Sequence, residues 1–209
     1  MPLKFYQKKT ALKALQEKTT PQILGEILHF LLEHLLFEKK FQPSDKDLEL
    51  LIKKPLSGLI EVFSEKSFLE EKAKEIMINV LKSQAWENLK KLFSSVEEIY
   101  YEIEGFYKEE NQILRPDLLT INDKTLNLFE IKLHKEDLRE DQIELYLSFL
   151  REIYPHYEIR AYLFSLDPPE LTLVKEIKGE IKKEGESQIH HGSKSLFYST
   201  QLSLFEKFG

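Results

Sequence analysis

The hydrophobic pattern of this chain changes period once, near residue 97, and that change limits the fold more than any other feature. Before it, apolar residues recur at three- and four-residue spacing. Ile23, Leu24, Ile27, Leu28, Leu31, Leu32, Leu35 and Leu36 form one stripe, the mark of a strongly buried helix. Thr19-Thr20-Pro21 offers an N-cap and a first-turn proline ahead of it. This pattern predicts helix over 3–40, a loop at Phe41-Gln42-Pro43-Ser44, and two or three further helices over 45–95. Beyond residue 97, Ile99 to Tyr107 is rich in aromatic and β-branched residues, as strands are. Ile113 to Ile121 and Leu126 to Leu133 read as two more strands around the turn Asn122-Asp123-Lys124-Thr125. Helical spacing returns over 137–153. Glu158 to Leu166 reads as a strand closed by Asp167-Pro168-Pro169, and Leu171 to Ile177 as a last one. The order predicts an α/β fold, in which a helical N-terminal part leads into a mixed central β-sheet flanked by helices.

At 209 residues the chain is long enough for one sizeable domain. We expect a single domain over about 1–180, with a helical part to about residue 95 and an α/β core over about 96–178. A polar tail over 180–209 is expected to lack order of its own. No internal repeat is visible. Thirty Lys+Arg against 36 Asp+Glu give a net charge of -6, with six His. Mild acidity does not decide nucleic-acid binding, because a local basic patch can sit on an acidic whole. The absence of cysteine excludes disulfides, thiolate zinc sites, Fe–S clusters and cysteine nucleophiles. Any metal must be held by His, Asp, Glu or backbone oxygen. The N-terminus does not read as a secretory signal, and no apolar run approaches the roughly 20 residues of a membrane span. A cytoplasmic location and no membrane partner are expected.

Chemistry concentrates in two neighbouring segments. Arg115-Pro116-Asp117 opens one strand, and Glu130-Ile131-Lys132 lies on the next. Residues two apart on a strand share a face, so Glu130 and Lys132 point the same way and Ile131 points into the core. If the strands are neighbours, Asp117 stands beside Glu130. Two converging carboxylates suit a hard divalent cation such as Mg²⁺ or Mn²⁺. A lysine beside them can orient a water or offset phosphate charge, as metal-assisted phosphodiester hydrolysis requires. Gln142 and Tyr146 lie four apart, on one face of the following helix; an amphipathic helix with a core tyrosine gives the same spacing. Gly25, His29 and Glu33 form a stripe on the apolar helix, where His29 is either a satisfied core residue or the nitrogen that completes a metal site.

In this order the elements resemble the PD-(D/E)XK nuclease superfamily, in its RecB/AddAB-like branch, over roughly residues 20–165. That branch runs from a helix with G-x-x-x-H-x-x-L-E through an acidic strand, an Asp strand and (D/E)-x-K to a helix with Q-x-x-x-Y. The resemblance implies a restriction-endonuclease-like core and a Mg²⁺- or Mn²⁺-dependent deoxyribonuclease. It implies that His29, Asp117, Glu130 and the Ile131 carbonyl hold the metal. Lys132 would position the attacking water, and Gln142 and Tyr146 would organise the site and the DNA strand. From the acidic strand it offers Glu98 or Glu102, with Glu102 favoured. Two departures stand out. The chain lacks the cysteines of the Fe–S staple that many relatives carry. It is also expected to stand without the UvrD-like helicase to which most are fused, so a helicase in trans is one candidate partner.

The tail carries a second signal. Gln201, Leu202, Ser203, Leu204 and Phe205 resemble the bacterial sliding-clamp-binding pentapeptide. Packing of the tail on its own domain is the alternative. Together the signals predict a DNA nuclease, acting on ends or flaps in repair, recombination or replication and recruited by the clamp. Two other readings compete: a non-catalytic DNA-end-binding or clamp-adaptor subunit, and a NucS-like mismatch endonuclease. The second expects an N-terminal β-domain, where this chain reads as helical.

Overall fold

The computed structural model describes residues 20–57, 66–101, 104–107 and 111–179. They fall into two compact units, parted between Ser83 and Gln84. In the first unit, helices α1 (Thr20–Phe37), α2 (Asp45–Ser57) and α3 (Lys66–Leu81) pack on one another. All eight residues of the predicted α1 stripe are buried. Helix α2 starts with a capping box: Ser44 Oγ accepts from the Asp47 N–H at 3.2 Å, and Asp47 Oδ2 accepts from the Ser44 N–H at 2.9 Å. Among the described residues no helix is long and apolar enough to cross a membrane.

The second unit begins with helix α4 (Gln84–Phe93) and continues as strands β1 (Glu98–Tyr101), β2 (Gly105–Tyr107), β3 (Gln112–Leu114), β4 (Leu118–Asn122) and β5 (Thr125–Lys132). Helix α5 (Glu140–Ile153) and strands β6 (Glu158–Leu166) and β7 (Pro169–Ile177) follow. Five strands form a mixed sheet in the order β1-β4-β5-β6-β7. Only β5 and β6 run parallel, and α5 supplies the crossover such a pair needs. Strand β5 is central, and Leu126 to Ile131 are all buried. A strand covered on both faces reads as a continuous apolar run rather than an alternating one. On one face Leu126 and Leu128 pack against Ile143, Leu147 and Leu150 of α5. On the other, Phe129 lies against Phe93 of α4 and Tyr162 of β6. The fold is thus α/β, with helices leading into a mixed five-stranded sheet that is flanked by helices.

Two predicted strands are each divided. Ile113 to Ile121 breaks at Arg115-Pro116-Asp117, because proline has no N–H to continue a ladder. Ile99 to Tyr107 also divides: β1 joins the main sheet, while β2 pairs with β3 in a separate hairpin. The hairpin requires glycine at 105. A Cβ there would stand 2.5 Å from the Phe149 ring of α5, so the β2 backbone lies directly on that side chain.

Candidate functional site

The break at Pro116 creates the site. Strand β4 meets β5 only as far as the Leu118–Phe129 pair, whereas β6 accompanies β5 to Lys132. The last three residues of β5 therefore lack a strand neighbour on the β4 side, and Asp117 occupies that flank. Its Oδ2 accepts the Ile131 N–H at 2.7 Å. The N–H and C=O of a strand residue leave the same side of the backbone, so the Ile131 carbonyl also points toward Asp117's flank.

Glu130 and Lys132 continue the face that carries Leu126 and Leu128, beyond the point where α5 covers it with apolar side chains. Lys132 Nζ lies 2.7 Å from Glu130 Oε2 and 3.7 Å from Asp117 Oδ2. Glu130 is only 1% exposed, and its second oxygen, Oε1, is buried with no hydrogen-bond partner among the described residues. Burial, then the Asp117 charge, push the Glu130 carboxyl up to about 7, and Lys132 offsets only part of this. Burial works against the Lys132 charge, but Asp117 and Glu130 hold its ammonium above its ordinary value.

Helix α5 closes the cluster. Gln142 Nε2 donates to the Tyr146 hydroxyl at 2.5 Å, and Tyr146 donates to the Arg115 carbonyl at 3.0 Å. Burial and the Glu130 charge raise the Tyr146 phenol, which keeps it protonated as a donor. Tyr146 thus ties the segment that presents Asp117 to the helix behind Glu130. The residues predicted from (D/E)-x-K, Pro-Asp and Q-x-x-x-Y spacing come together here. Sequence reasoning missed what assembles them, the strand break; Pro116 inside an apolar run is the signal for it.

The donor set fits a hard, oxygen-ligated cation. Glu130 Oε1 is a buried acceptor without a partner among the described residues, the Asp117 carboxylate stands on the same edge, and a backbone carbonyl faces that flank. Mg²⁺ commonly takes one or two carboxylates and keeps several waters. Among the described residues no group of three or more His, Asp and Glu is arranged to hold a metal. His29 belongs to the helical unit, where it is half-buried on α1. Glu98 pairs with Ile121, at the far end of β4 from Asp117, and accepts from the Tyr100 hydroxyl. Glu102 and the peptide Gln201 to Phe205 lie outside the described residues. No protein-family model, curated protein or solved structure matches the chain.

Proposed function

We propose that the chain is a divalent-metal-dependent DNA nuclease of PD-(D/E)XK type, with a restriction-endonuclease-like core. The observation that carries this reading is the buried Glu130 carboxylate, with one oxygen unpartnered among the described residues and Asp117 and Lys132 beside it. A buried carboxylate whose lysine partner offsets only part of its burial is costly to a fold. A site that receives Mg²⁺ or Mn²⁺ does need one. Bound, the cation would neutralise charge on a phosphodiester and acidify water. Asp117, Glu130 and the Ile131 carbonyl would hold it; His29 is named as a further ligand by the family resemblance alone. Lys132 would hold the attacking water and offset phosphate charge. Gln142 and Tyr146 would keep Asp117 in place.

Repair, recombination or replication in the cytoplasm, on DNA ends or flaps, is the setting that the resemblance and the tail peptide support. The peptide Gln201 to Phe205 would dock on a bacterial sliding clamp, and a UvrD-like helicase is a candidate partner in trans. End-labelled and circular DNA incubated with Mg²⁺ and the full chain test the reading. Metal-dependent cleavage that EDTA stops is expected, and intact DNA of both kinds contradicts the proposal. His29→Ala is expected to raise the metal concentration needed for half-maximal cleavage; an unchanged midpoint returns His29 to the apolar packing of α1. For the tail, a peptide covering 196–209 is expected to bind purified clamp near the micromolar range, as burial of a few hundred Å² at about 25 cal/mol per Å² less ordering costs suggests. No binding at about 100-fold higher concentration removes the clamp from the proposal.

A further inference from the structure

The sequence holds four arginines, against a large excess of lysine. Three have partners of their own. Arg139 pairs with Asp141, and Arg160 with Glu158 and Glu176. Arg151 donates to the carbonyls of Pro155, Tyr157 and Lys178. Arg115 differs. It is exposed, and its guanidinium meets no carboxylate among the described residues.

The backbone beneath it is fixed. The Arg115 carbonyl receives the Tyr146 hydroxyl, Pro116 is buried, and Asp117 is held by the Ile131 N–H. Over 115–117 the residues are exposed, buried and half-buried in turn, and the chain bends at Asp117. Arg115 and Asp117 thus both reach the surface on either side of the buried Pro116. A charged fork is thus anchored two residues from the carboxylate at the site. Two other cations described near that edge of the sheet are occupied: Lys132 by Glu130, and Lys135 by Glu170.

A DNA strand approaching this edge meets two carboxylates on a chain of net charge -6. Affinity for nucleic acid rests mostly on cations that neutralise phosphates. A guanidinium suits this better than an ammonium, because its planar fork binds phosphate through two parallel hydrogen bonds. We propose that Arg115 grips a backbone phosphate of the strand seated at the Asp117–Glu130–Lys132 cluster, next to the phosphate being cut. The assignment rests on the nuclease reading above.

The test uses the full chain carrying Lys132→Ala, so that DNA is bound in Mg²⁺ without being cut, and measures fluorescence anisotropy of a labelled oligonucleotide over a salt series. Adding Arg115→Gln is expected to weaken binding about tenfold at low salt. It should also reduce the slope of log affinity against log salt by about 0.7 on single strands or about 0.9 on duplex. Arg115→Lys is expected to keep the slope and recover only part of the affinity. Melting temperatures unchanged by either substitution would show that the fold is intact. Equal slopes and affinities with and without Arg115→Gln overturn the assignment, as does a failure of the Lys132→Ala protein itself to bind DNA. Cleavage by the unsubstituted chain, run in parallel, separates the two failures. If it cuts DNA while the slopes are equal, only the Arg115 contact is wrong. If it does not cut, the nuclease reading has failed.

Discussion

Two clusters of one cation and two carboxylates stand at opposite ends of the same sheet. At the end where β5 begins, Arg160 binds Glu158 at 2.6 Å and Glu176 at 2.8 Å, with all three side chains about one-third exposed. Its hydrogen bonds with Glu158 and Arg160 hold Glu176 below the usual carboxylate range. The Arg160 guanidinium and the Glu176 carboxylate are both favoured as charges. At the end where β5 stops, Lys132 stands between Glu130 and Asp117, but Glu130 is buried, is pushed up to about 7, and keeps one oxygen unpartnered. The same three charges therefore do different things. In the first cluster water screens the surplus negative charge, whereas in the second Glu130 is buried and leaves that surplus for a further cation to offset. Asn127 Oδ1, on the other face of β5, is also buried without a partner, but its amide is neutral and still donates to Thr120 at 3.2 Å. It marks no comparable imbalance.

Substitutions at the two ends should separate these roles. The largest effect is expected from Asp117→Ala or Lys132→Ala, which should lower Mg²⁺-dependent cleavage by about three orders of magnitude or more with little loss of stability. Arg160→Ala should leave cleavage as it was. Rates measured on one labelled DNA substrate compare all three, and near-normal cutting by either of the first two contradicts the site.

Tyr146→Phe removes the tie to the Arg115 carbonyl while keeping the ring in the core. Cleavage is expected to fall by about ten- to a hundredfold, a loss larger than the roughly 1 kcal/mol net value of one hydrogen bond to folding. Parallel rate and melting measurements make the check. A drop in stability without a drop in rate would make Tyr146 a core residue only.

Glu130 makes the metal-free protein sensitive to pH. Its folded value of about 7 lies above the ordinary 4.5, so between these values the folded chain keeps a proton that the unfolded chain has lost. Stability without metal should therefore fall as pH rises through this window. Glu130→Gln should flatten the dependence and raise the melting temperature at pH above the window. Thermal melts in EDTA across pH decide this, and a parallel fall in the variant contradicts the buried-charge account. The smallest effect is expected for Arg160→Ala on stability, within about 1 kcal/mol because the pair is partly solvated.

Much of this was legible before the structure. The α1 stripe, β6 and the residues that converge on the sheet edge follow from periodicity and spacing, since each depends on neighbours a few positions apart. The divided strands do not. Pro116 and Gly105 are visible as letters, but what they permit depends on Phe149 and Ile131, which lie far along the chain and meet them only in the fold. The orphaned Glu130 oxygen is likewise beyond spacing rules, because burial of a carboxylate depends on everything packed around it.

The account stands most directly on whether this end of β5 takes a divalent cation. Calorimetric titration of Mn²⁺ into the EDTA-treated, dialysed chain at a pH above the Glu130 transition measures it. One ion per chain is predicted for the unsubstituted protein, with binding lost or greatly weakened in Asp117→Asn and Glu130→Gln. Absence of binding by the unsubstituted chain, or equal binding by all three proteins, would contradict the account.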